Sequence, residues 1–311
     1  MATFRMGLVG AGRMGRTHMR ALADSDVLRV VAVADPLEQA RAAVAAPGIA
    51  VHADLTGMLR AGGLDGVLIA SSSDTHLAGI GELAAAGIPI LCEKPCGLTS
   101  RQGQQAAALA AAAKVPLQVA YWRRFVPSLK KLKARIVAGG LGDLYLAICY
   151  QWDEQPPPPS FRTRSGGIFM DMAVHEFDQI RWLCGQEIGE LHALAAGTLS
   201  APPVAGDTES AQVLCALSGG ATGIVSLGRR FPLGDVCKAE VFGTKSAEEC
   251  RFLWPPAAEQ AFLEALRLQA ESFVRWVGGA PAEGASALDA VAALEAAERA
   301  SRIFETAKEK R

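Results

Sequence analysis

The sequence lacks an excess of charge of either sign. Its 31 basic and 32 acidic residues give a formal net charge of -1 over 311 residues. No basic block or basic helix face stands out, which argues against nucleic acid or an anionic membrane as the main partner. The sequence also lacks a run of roughly 18 uncharged apolar residues, the length that a membrane-spanning helix requires. We therefore expect a protein that binds neither nucleic acid nor membrane.

A secretory signal and a disulfide framework are missing as well. The N-terminus runs straight into an apolar strand and a glycine turn, without the apolar core and cleavage site of a signal peptide. The seven cysteines are odd in number and mostly lie in apolar contexts, which indicates reduced thiols in a cytoplasmic protein. Cys92 and Cys96 lie four residues apart, but no second pair follows at zinc spacing. A metal site there is the weaker alternative, and we expect none.

What is present is a globular composition and a change of rhythm near residue 122. Up to that point, short apolar runs alternate with alanine-rich helical stretches. The runs are apolar on both faces, as in a parallel sheet that is covered by helices. The pattern predicts an α/β fold in which residues 1–122 form an N-terminal doubly wound parallel sheet of the Rossmann type.

The remaining residues, 123–311, show a different pattern. A basic amphipathic helix, a strand and the proline run "QPPPPS" come first, and the proline run predicts an exposed loop. Long alternating strands with short glycine turns follow, and two helices end the chain. This order predicts a C-terminal α+β domain with an open antiparallel sheet, whose last helix is a candidate to pack back on the first domain.

The glycine pattern GxGxxG follows the first apolar strand and precedes a helix. In dinucleotide-binding folds the first glycine permits the turn, the second admits the pyrophosphate, and the third lets helix and strand pack closely. The next strand ends in Asp35, at the distance expected for a residue that binds the ribose hydroxyls and repels a 2'-phosphate, which favours NAD. A structural turn or a methyltransferase-like nucleotide site is the alternative. The candidate cofactor contacts in the loop are Gly10, Ala11, Gly12, Arg13, Met14 and Gly15.

Further candidate cofactor contacts lie where two later strands end. Ser71, Ser72 and His76 follow one strand, at the carboxyl edge where ligands of such folds bind. The alternative for His76 is a surface residue of a capped helix. Glu93 and Lys94 end the next strand, and Pro95 fixes the turn that presents them. A solvated side chain is the alternative for Lys94, although its apolar context disfavours it.

A mostly apolar helix carries titratable groups in the segment "GGIFMDMAVHEFDQIRWLCG", residues 166–185. At 3.6 residues per turn, Asp171, His175, Asp178 and Trp182 share one face. Such a stripe is typical of the floor of an active site. Two alternatives are a buried salt-bridge network and a metal site that uses Asp171, His175 and a third ligand.

These motifs together resemble the glucose-fructose oxidoreductase / inositol dehydrogenase / MocA family. The resemblance is carried by GxGxxG with Asp35, "EKP" at 93–95 and "GGIFMDMAVHEFD" at 166–178, with "RRF" at 229–231 and "EVFGTK" at 240–245 as further marks. Its inositol 2-dehydrogenase branch is the most similar. The resemblance implies a Rossmann domain, an α+β domain with an open antiparallel sheet, and a homo-oligomer, a tetramer or a dimer.

The resemblance also implies the chemistry and its residues. Lys94, Asp171 and His175 match the family's catalytic group, and Arg124 and Asp153 are candidate substrate contacts. Oxidation of a secondary alcohol requires a base within hydrogen-bond reach of the hydroxyl proton, and histidine has a suitable pKa for that task. For the arginine pair at 123–124, a solvated helix start is the alternative.

Two departures from the family's pattern leave the substrate open. The chain reads "RRFVPSL", with Val126 where inositol dehydrogenases usually have an Asp, and "LGDVCKAEVFG" where a Tyr-Asp pair commonly precedes the strand. We expect NAD-dependent oxidation of a ring polyol or sugar, with myo-inositol 2-dehydrogenation as the first candidate. The alternatives are a dehydrogenase for another sugar or inositol isomer and, from a different class, a non-catalytic NAD-binding sensor.

Overall fold

The computed structural model describes residues 3–163, 165–196 and 207–309, and the chain divides into two compact units. The first unit contains Met1–Phe125 and Leu263–Val291, and the second contains Val126–Phe262 and Ala292–Arg311. The division at residue 122 lies three residues before the first of these boundaries. The predicted division placed residues 263–291 in the second domain, whereas the structure assigns that segment to the first unit.

The chain up to Val119 alternates strands and helices. In order, the elements are β1 (Phe4–Val9), α1 (Arg13–Leu22), β2 (Leu28–Ala34), α2 (Glu38–Ala42), β3 (Ala50–His52), α3 (Leu55–Ala61), β4 (Gly66–Ile69), α4 (His76–Ala85), β5 (Ile90–Cys92), α5 (Ser100–Ala113) and β6 (Leu117–Val119). Short 3-10 helices cover Ser73–Thr75 and Trp122–Phe125.

The later elements are longer. They are α6 (Pro127–Val137), β7 (Leu144–Trp152), α7 (Pro159–Arg162), a π-helix (Phe169–Ala173), α8 (Val174–Cys184), β8 (Ile188–Ala196), β9 (Ser210–Leu217), β10 (Thr222–Gly228), β11 (Val236–Gly243), β12 (Ala247–Leu253), α9 (Ala258–Val277), β13 (Ala285–Ser286) and α10 (Ala287–Glu309). The proline run is not loop throughout. The last proline of the run, Pro159, begins α7, because proline is tolerated in the first turn of a helix.

The sheet of the first unit has seven strands in the order β13-β6-β5-β4-β1-β2-β3. β1 to β6 are all parallel, which confirms the predicted doubly wound sheet, and only β13 is antiparallel. The central strands bury residues on both faces, since the consecutive residues Val67, Leu68 and Ile69 of β4, which alternate between the two faces, are all fully buried. Such burial excludes water from the core and stabilises the sheet.

Helix α9 completes the core of this unit. Ala270 and Phe273 are fully buried in the same apolar cluster as the central strands, and the Phe273 ring packs edge-on against Phe4. The packing of the last helix, α10, on the first domain stays a prediction, although its residues Ala287–Val291 belong to the first unit. α9 contributes most of its length to the first unit, while α10 lies mainly in the second.

The sheet of the second unit has six strands in the order β12-β11-β7-β10-β9-β8. Its pairs are antiparallel, as predicted, except that β7 and β10 run parallel, with Trp152 opposite Gly228. α6 and α8 pack on one face. The parallel pair matters for the site, because both strands end at the same edge of the sheet.

All seven cysteines are free, and six of them are buried. Burial raises the pKa of Cys96 to about 11 and that of Cys184 to about 12. Among the described residues, no helix is long and apolar enough to cross a membrane.

Candidate active site and cofactor-binding loop

The glycine loop is a tight passage between β1 and α1. Gly10 has a φ of +95°, and a Cβ there would lie 2.5 Å from the backbone nitrogen of Ser71. A Cβ at Gly15 would collide with the carbonyl oxygen of Gly10. Both positions are therefore restricted to glycine by the protein's own backbone.

Gly12 differs from its two neighbours in the motif. Within the described part of the chain, no atom lies within 4 Å of a Cβ built at Gly12. Asp54 caps α3 and Thr99 caps α5 through their side chains, whereas the N-cap residue of α1 is Gly12, which has no side chain to cap the helix. The N-terminus of α1 therefore faces an open space in which backbone amides can bind the pyrophosphate of a dinucleotide.

Asp35 braces this loop. Its Oδ2 accepts a hydrogen bond from the Ala11 backbone nitrogen at 2.8 Å, and its Oδ1 accepts one from Leu37 at 2.9 Å. The side chain follows β2 and is buried. Sequence reasoning did not single out Arg41, which donates through Nη1 to the carbonyl oxygens of Asp35 (2.7 Å) and Pro36 (3.1 Å).

Glu93 of the "EKP" motif is tied to the glycine-loop helix. His18, which is fully buried in α1, lies with its Nε2 2.6 Å from Glu93 Oε1. Burial alone would raise the pKa of Glu93. The hydrogen bond and charge of His18, with smaller contributions from Lys94 and His76, outweigh burial and lower the pKa below its ordinary value. His18 was missed because a lone histidine in a helix carries no signal in the sequence.

His76 joins the ends of two neighbouring strands. Its ring nitrogens lie 2.7 Å from the Pro95 carbonyl oxygen and 3.1 Å from the Ser71 carbonyl oxygen, and the residue is buried. The alternative of a surface residue is therefore wrong. The Ser71 and Thr75 hydroxyls form a hydrogen bond with each other, and Ser72 is exposed. Lys94 is half-buried, and the peptide bond that joins it to Pro95 is cis. The candidate cofactor contacts that follow β4 and β5 therefore lie on neighbouring turns at one edge of the sheet.

The paired arginines are buried, so the alternative of a solvated helix start is wrong. Arg123 is 2% exposed and Arg124 is 8% exposed, and both lie in the 3-10 helix that precedes α6. Nη2 of Arg124 pairs with Asp289 at 3.3 Å. Asp289 also accepts hydrogen bonds from Ser286, the residue before α10. Burial alone would raise the pKa of Asp289, but Arg124 and Ser286 outweigh this effect and lower it.

The titratable helix of the second unit is not one regular helix. Asp171 lies in the π-helix, and His175 lies in the first turn of α8. A π turn is wider than an α turn, and such turns occur frequently at functional sites. Asp178 and His175 are both buried, with relative exposures of 1% and 8%. His175 and Asp178 of the predicted polar stripe therefore lie inside the unit, whereas Asp171 and Trp182 are half-buried.

The parallel pair β7–β10 brings two charged residues beside this helix. Asp153 follows β7 and Arg229 follows β10, and the Asp153 backbone nitrogen donates to Gly228 at 2.9 Å. Arg229 is fully buried and donates through Nη1 to Asp171 Oδ2 at 3.1 Å. A network on Asp171, one of the two alternatives for this helix, is thus present, and its arginine was seen in the sequence only as a family mark.

Asp153 has an unusual acidity. Burial raises the pKa of its carboxyl to about 6. The hydrogen bond from Gln151 and the charge of Arg229 act in the opposite direction, while the carboxylates of Asp235 and Asp171 raise the pKa further. An acid whose pKa lies near neutrality in a cluster of other charges is a typical feature of a functional site.

A small cavity lies next to the π-helix in the second unit. It is bordered by the glycine pair 166–167, by Asp207 and Thr208, and by Phe304 of α10. The ring of Phe304 packs against Phe169. The cavity thus lies directly against the glycine pair.

A parallel sheet with a glycine loop and a bracing Asp, joined to a unit with a buried cluster of acids and a histidine, defines an NAD-dependent oxidoreductase. Comparison with known proteins agrees. Residues 4–121 match the model of the oxidoreductase family with an NAD-binding Rossmann fold, and residues 129–247 match the GFO/IDH/MocA C-terminal domain. The chain belongs to the GFO/IDH/MocA family of oxidoreductases, and the alternative of a non-catalytic sensor is set aside.

Three relatives illustrate the similarity. The rhizopine catabolism protein MocA of Rhizobium meliloti is 52% identical over 98% of this chain and 96% of its own length. An inositol 2-dehydrogenase of Rhizobium meliloti (strain 1021) is 33% identical, with 96% of each chain covered. The crystal structure of scyllo-inositol dehydrogenase from Lactobacillus casei with bound NAD(H) and scyllo-inositol is 26% identical, with a TM-score of 0.83 and 98% of each chain covered.

Proposed function

We propose that the chain oxidises one secondary hydroxyl of a cyclic polyol to a ketone with NAD, and that myo-inositol, oxidised at carbon 2, is the first candidate. One observation carries this proposal. Asp171, held by Arg229, lies four residues before His175 and in the same charge cluster as Asp153, whose pKa is raised to about 6. Relatives of the chain are named inositol dehydrogenases, which supports the choice of substrate class.

In the proposed mechanism, His175 accepts the proton of the substrate hydroxyl. Asp171 orients the imidazole and stabilises its charged form, as a carboxylate near a histidine base does. Lys94 donates a hydrogen bond to the substrate oxygen and stabilises its developing negative charge. Bound NAD supplies the acceptor for the hydride that leaves the carbon.

The residues proposed to hold the cofactor surround the open end of α1. The space at Gly12 and the amides of the first turn suit a pyrophosphate, and Asp35 suits the ribose hydroxyls. The full proposed set is Gly10, Ala11, Gly12, Arg13, Met14, Gly15, Asp35, Ser71, Ser72, His76, Glu93 and Lys94.

A second candidate substrate is a compound of rhizopine catabolism. The relative at 52% identity is named for that catabolism, and this identity exceeds the 33% of the inositol 2-dehydrogenase. Product analysis tests the two candidates. After incubation with NAD, mass spectrometry of the polyol should find a loss of two hydrogens, and NMR should locate the new carbonyl carbon. An unchanged polyol in the presence of bound cofactor would contradict the first candidate.

Asp153 is expected to make substrate binding depend on pH. As the pH rises through about 6 the carboxyl ionises and becomes a stronger acceptor for a substrate hydroxyl. The KM for the polyol should therefore fall roughly tenfold between about pH 5 and about pH 7, equivalent to ~1.4 kcal/mol of binding. In Asp153→Asn this change should disappear and KM should stay high. Initial rates across that pH range at constant ionic strength measure it.

The control for Asp153→Asn is Asp143→Asn, just before β7, which should keep the wild-type pH dependence. The raised pKa also affects stability. Above about pH 3.8 the unfolded chain has lost a proton that folded Asp153 retains until about pH 6. The free energy of unfolding should therefore fall as the pH rises through this window, and Asp153→Asn should remove that dependence. An unchanged pH dependence of KM in Asp153→Asn would exclude Asp153 as a substrate contact.

We keep Arg124 as the second proposed substrate contact. Its Nη2 pairs with Asp289 at 3.3 Å, and this pair holds the guanidinium in place. Its burial at 8% exposure is consistent with a residue that serves a site and not the surface. A carboxylate that fixes the guanidinium would reduce the entropy lost when a polyol hydroxyl binds to it.

The uncovered face of the second sheet supports a homo-oligomer. Leu214, Ile224 and Ile148 form a row across β9, β10 and β7. Their neighbours on the opposite face, including Val213 and Val225, are buried, whereas Leu214 is 47% exposed. An apolar row on an open sheet face is suited to burial against a second copy of the same face. We propose a dimer or tetramer formed through this face.

The oligomer is tested by a charge in the row. Leu214→Glu should lower the mass in solution to that of a smaller species, because a carboxylate in an apolar interface is costly. Light scattering after size-exclusion chromatography measures the mass. Leu109→Glu, at a comparably exposed leucine of α5 in the first unit, should leave the mass unchanged. Equal masses for Leu214→Glu and the wild type would exclude this interface.

A cytosolic location is proposed from the thiols. All seven cysteines are free in the structure, and buried free thiols are usual in a reducing compartment. Fractionation of the cells that express the protein would locate it.

A further inference from the structure

Six charged side chains of the second unit form one continuous series of alternating sign. Asp171 forms an ion pair with Arg229. The Nε of Arg229 lies 3.0 Å from Asp207 Oδ2, and its Nη2 donates to Asp207 Oδ1 at 3.3 Å. Arg162 donates to Asp207 Oδ2 through Nε at 2.6 Å. The series continues from Arg162 to Glu209 at 3.0 Å and from Glu209 to Arg230 at 3.1 Å. We refer to these six residues as the charge chain.

The interior of the charge chain is closed to solvent, and its two ends are not. The side chains of Arg229 and Asp207 are 0% exposed, and those of Arg162 and Glu209 are 2% and 1% exposed. Asp171 at one end is 14% exposed, and Arg230 at the other is 48% exposed. Three positive and three negative charges balance, so the buried part carries no net charge. Removal of an interior member would leave a buried charge uncompensated.

Stability alone does not account for this arrangement. Apolar side chains of similar volume often stabilise a core as well as a buried ion pair does, because the charges lose their hydration. What a buried pair provides in addition is a fixed geometry. One of the two partly exposed ends of the charge chain is Asp171, which is a proposed catalytic residue, so the fixed geometry includes the site.

We propose that Arg229 is a positioning residue that fixes the carboxylate of Asp171 for its action on His175. The inference rests on the proposed function. Arg229 donates a hydrogen bond to Asp171 Oδ2 through Nη1 and one to Asp207 Oδ1 through Nη2, while its Nε lies 3.0 Å from Asp207 Oδ2 as an ion-pair contact. The planar guanidinium connects the two carboxylates in one rigid orientation, which a lysine ammonium cannot reproduce.

Local structure explains why Asp171 requires such an anchor. It lies in the π-helix Phe169–Ala173, after two glycines with φ values of +80°. The wide turn and the preceding glycines constrain the backbone less than a regular α-helix does. Arg229 comes from the end of β10, in the middle of the sheet, and Asp207 is held in turn by Arg162 of α7. Arg229 therefore restrains Asp171 of the π-helix relative to the sheet.

The test compares Arg229→Lys with Arg181→Lys. Arg181 of α8 forms a bidentate pair with exposed Glu187. The control therefore loses an arginine–carboxylate pair of the same kind that does not involve Asp171. Arg229→Lys keeps the charge. It should lower kcat for the polyol about 100-fold, as a small misplacement of a catalytic group does. KM for the polyol and the Kd for NADH should change less than about threefold, and Arg181→Lys should match the wild type.

A second readout does not require turnover. In protein labelled at histidine, NMR follows the titration of the His175 ring, which is assigned by its loss in His175→Ala. In Arg229→Gln the midpoint should move upward, because a positive charge near the Asp171–His175 pair is removed. Arg181→Gln should leave it in place. This readout also applies if Arg229→Lys folds poorly and Arg229→Gln is the better folded variant.

The outcomes separate the two proposals. If the wild type oxidises no polyol, the proposed function fails, and the titration of His175 alone decides the role of Arg229. If the wild type is active, Asp171→Asn is inactive and Arg229→Lys keeps at least half of the wild-type kcat, Arg229 is only structural. An unshifted His175 midpoint in folded Arg229→Gln would likewise overturn the inference.

Discussion

His175→Ala is expected to lower kcat for the polyol by about 10²- to 10⁴-fold, the range that general-base catalysis contributes. The hydroxyl proton then has no base at the position of the imidazole, and water must accept it. The side chain is only 8% exposed, so the change also leaves a small internal space in α8. The Kd for NADH should stay within about twofold, because the proposed cofactor contacts lie in the first unit. Initial rates and NADH fluorescence titrations measure the two quantities.

The matched control for this change is His192→Ala. His192 lies on β8, its side chain is 71% exposed, and it forms an ion pair with exposed Glu190. We expect wild-type kcat for this variant. If His175→Ala kept more than about a tenth of the wild-type kcat, a general base at this position would be excluded. Recovery of activity with added imidazole would further support the assigned role.

Gly12→Ala is expected to lower the affinity for NAD by roughly 100-fold, or about 2.7 kcal/mol, with little change in the free energy of unfolding. In the described part of the chain, nothing lies within 4 Å of the new methyl group, so the folded protein accommodates it. The same methyl occupies the space through which a pyrophosphate would approach the backbone. Isothermal titration calorimetry and thermal unfolding without cofactor measure the two effects.

Gly15→Ala provides the contrast within one motif. Its methyl would collide with the carbonyl oxygen of Gly10, so this variant should unfold at a clearly lower temperature even without cofactor. The pair separates the binding role of one glycine from the packing role of another. Wild-type affinity for NAD in Gly12→Ala would contradict the assignment of this loop to the pyrophosphate.

The first unit could be predicted in detail from the sequence because its signals are local. Apolar runs predict buried parallel strands, and a glycine loop between a strand and a helix predicts the cofactor site. The fold class, the family and the cofactor NAD are confirmed. The strand β3 was not predicted, because its three residues are exposed or half-buried and carry no apolar run.

The charge chain could not be predicted, because its members are far apart along the chain. Asp171 and Arg229 are 58 residues apart, and Arg162 and Asp207 are 45 residues apart. Their contact depends on the parallel pairing of β7 and β10, and a local pattern does not specify which strands pair. For the same reason the sequence did not reveal that α9 joins the first unit, since its buried face shows only that some core receives it.

The prediction of a single regular helix at 166–185 was wrong in its first turns. The helical period of 3.6 residues did not distinguish buried from exposed positions in α8, because residues 174–180 are all buried whatever their polarity. It did not indicate the π-helix at Phe169–Ala173, because the two conformations share nearly the same residue preferences. Burial of the polar stripe follows from its pairing. Asp171 has Arg229 beside it, and a charge with a partner can lie inside a protein at a tolerable cost.

The central claim is that this chain oxidises a ring polyol with NAD, and one measurement tests it most directly. Purified protein is mixed with NAD or NADP and a panel of inositol isomers, rhizopine, aldoses and small alcohols, and NADH or NADPH formation is followed by absorbance, with His175→Ala in parallel. We predict turnover of a cyclic polyol, myo-inositol first, with NAD strongly preferred and activity lost in His175→Ala. Binding of NADH without turnover of any compound in the panel, or equal rates for His175→Ala and the wild type, would contradict the account.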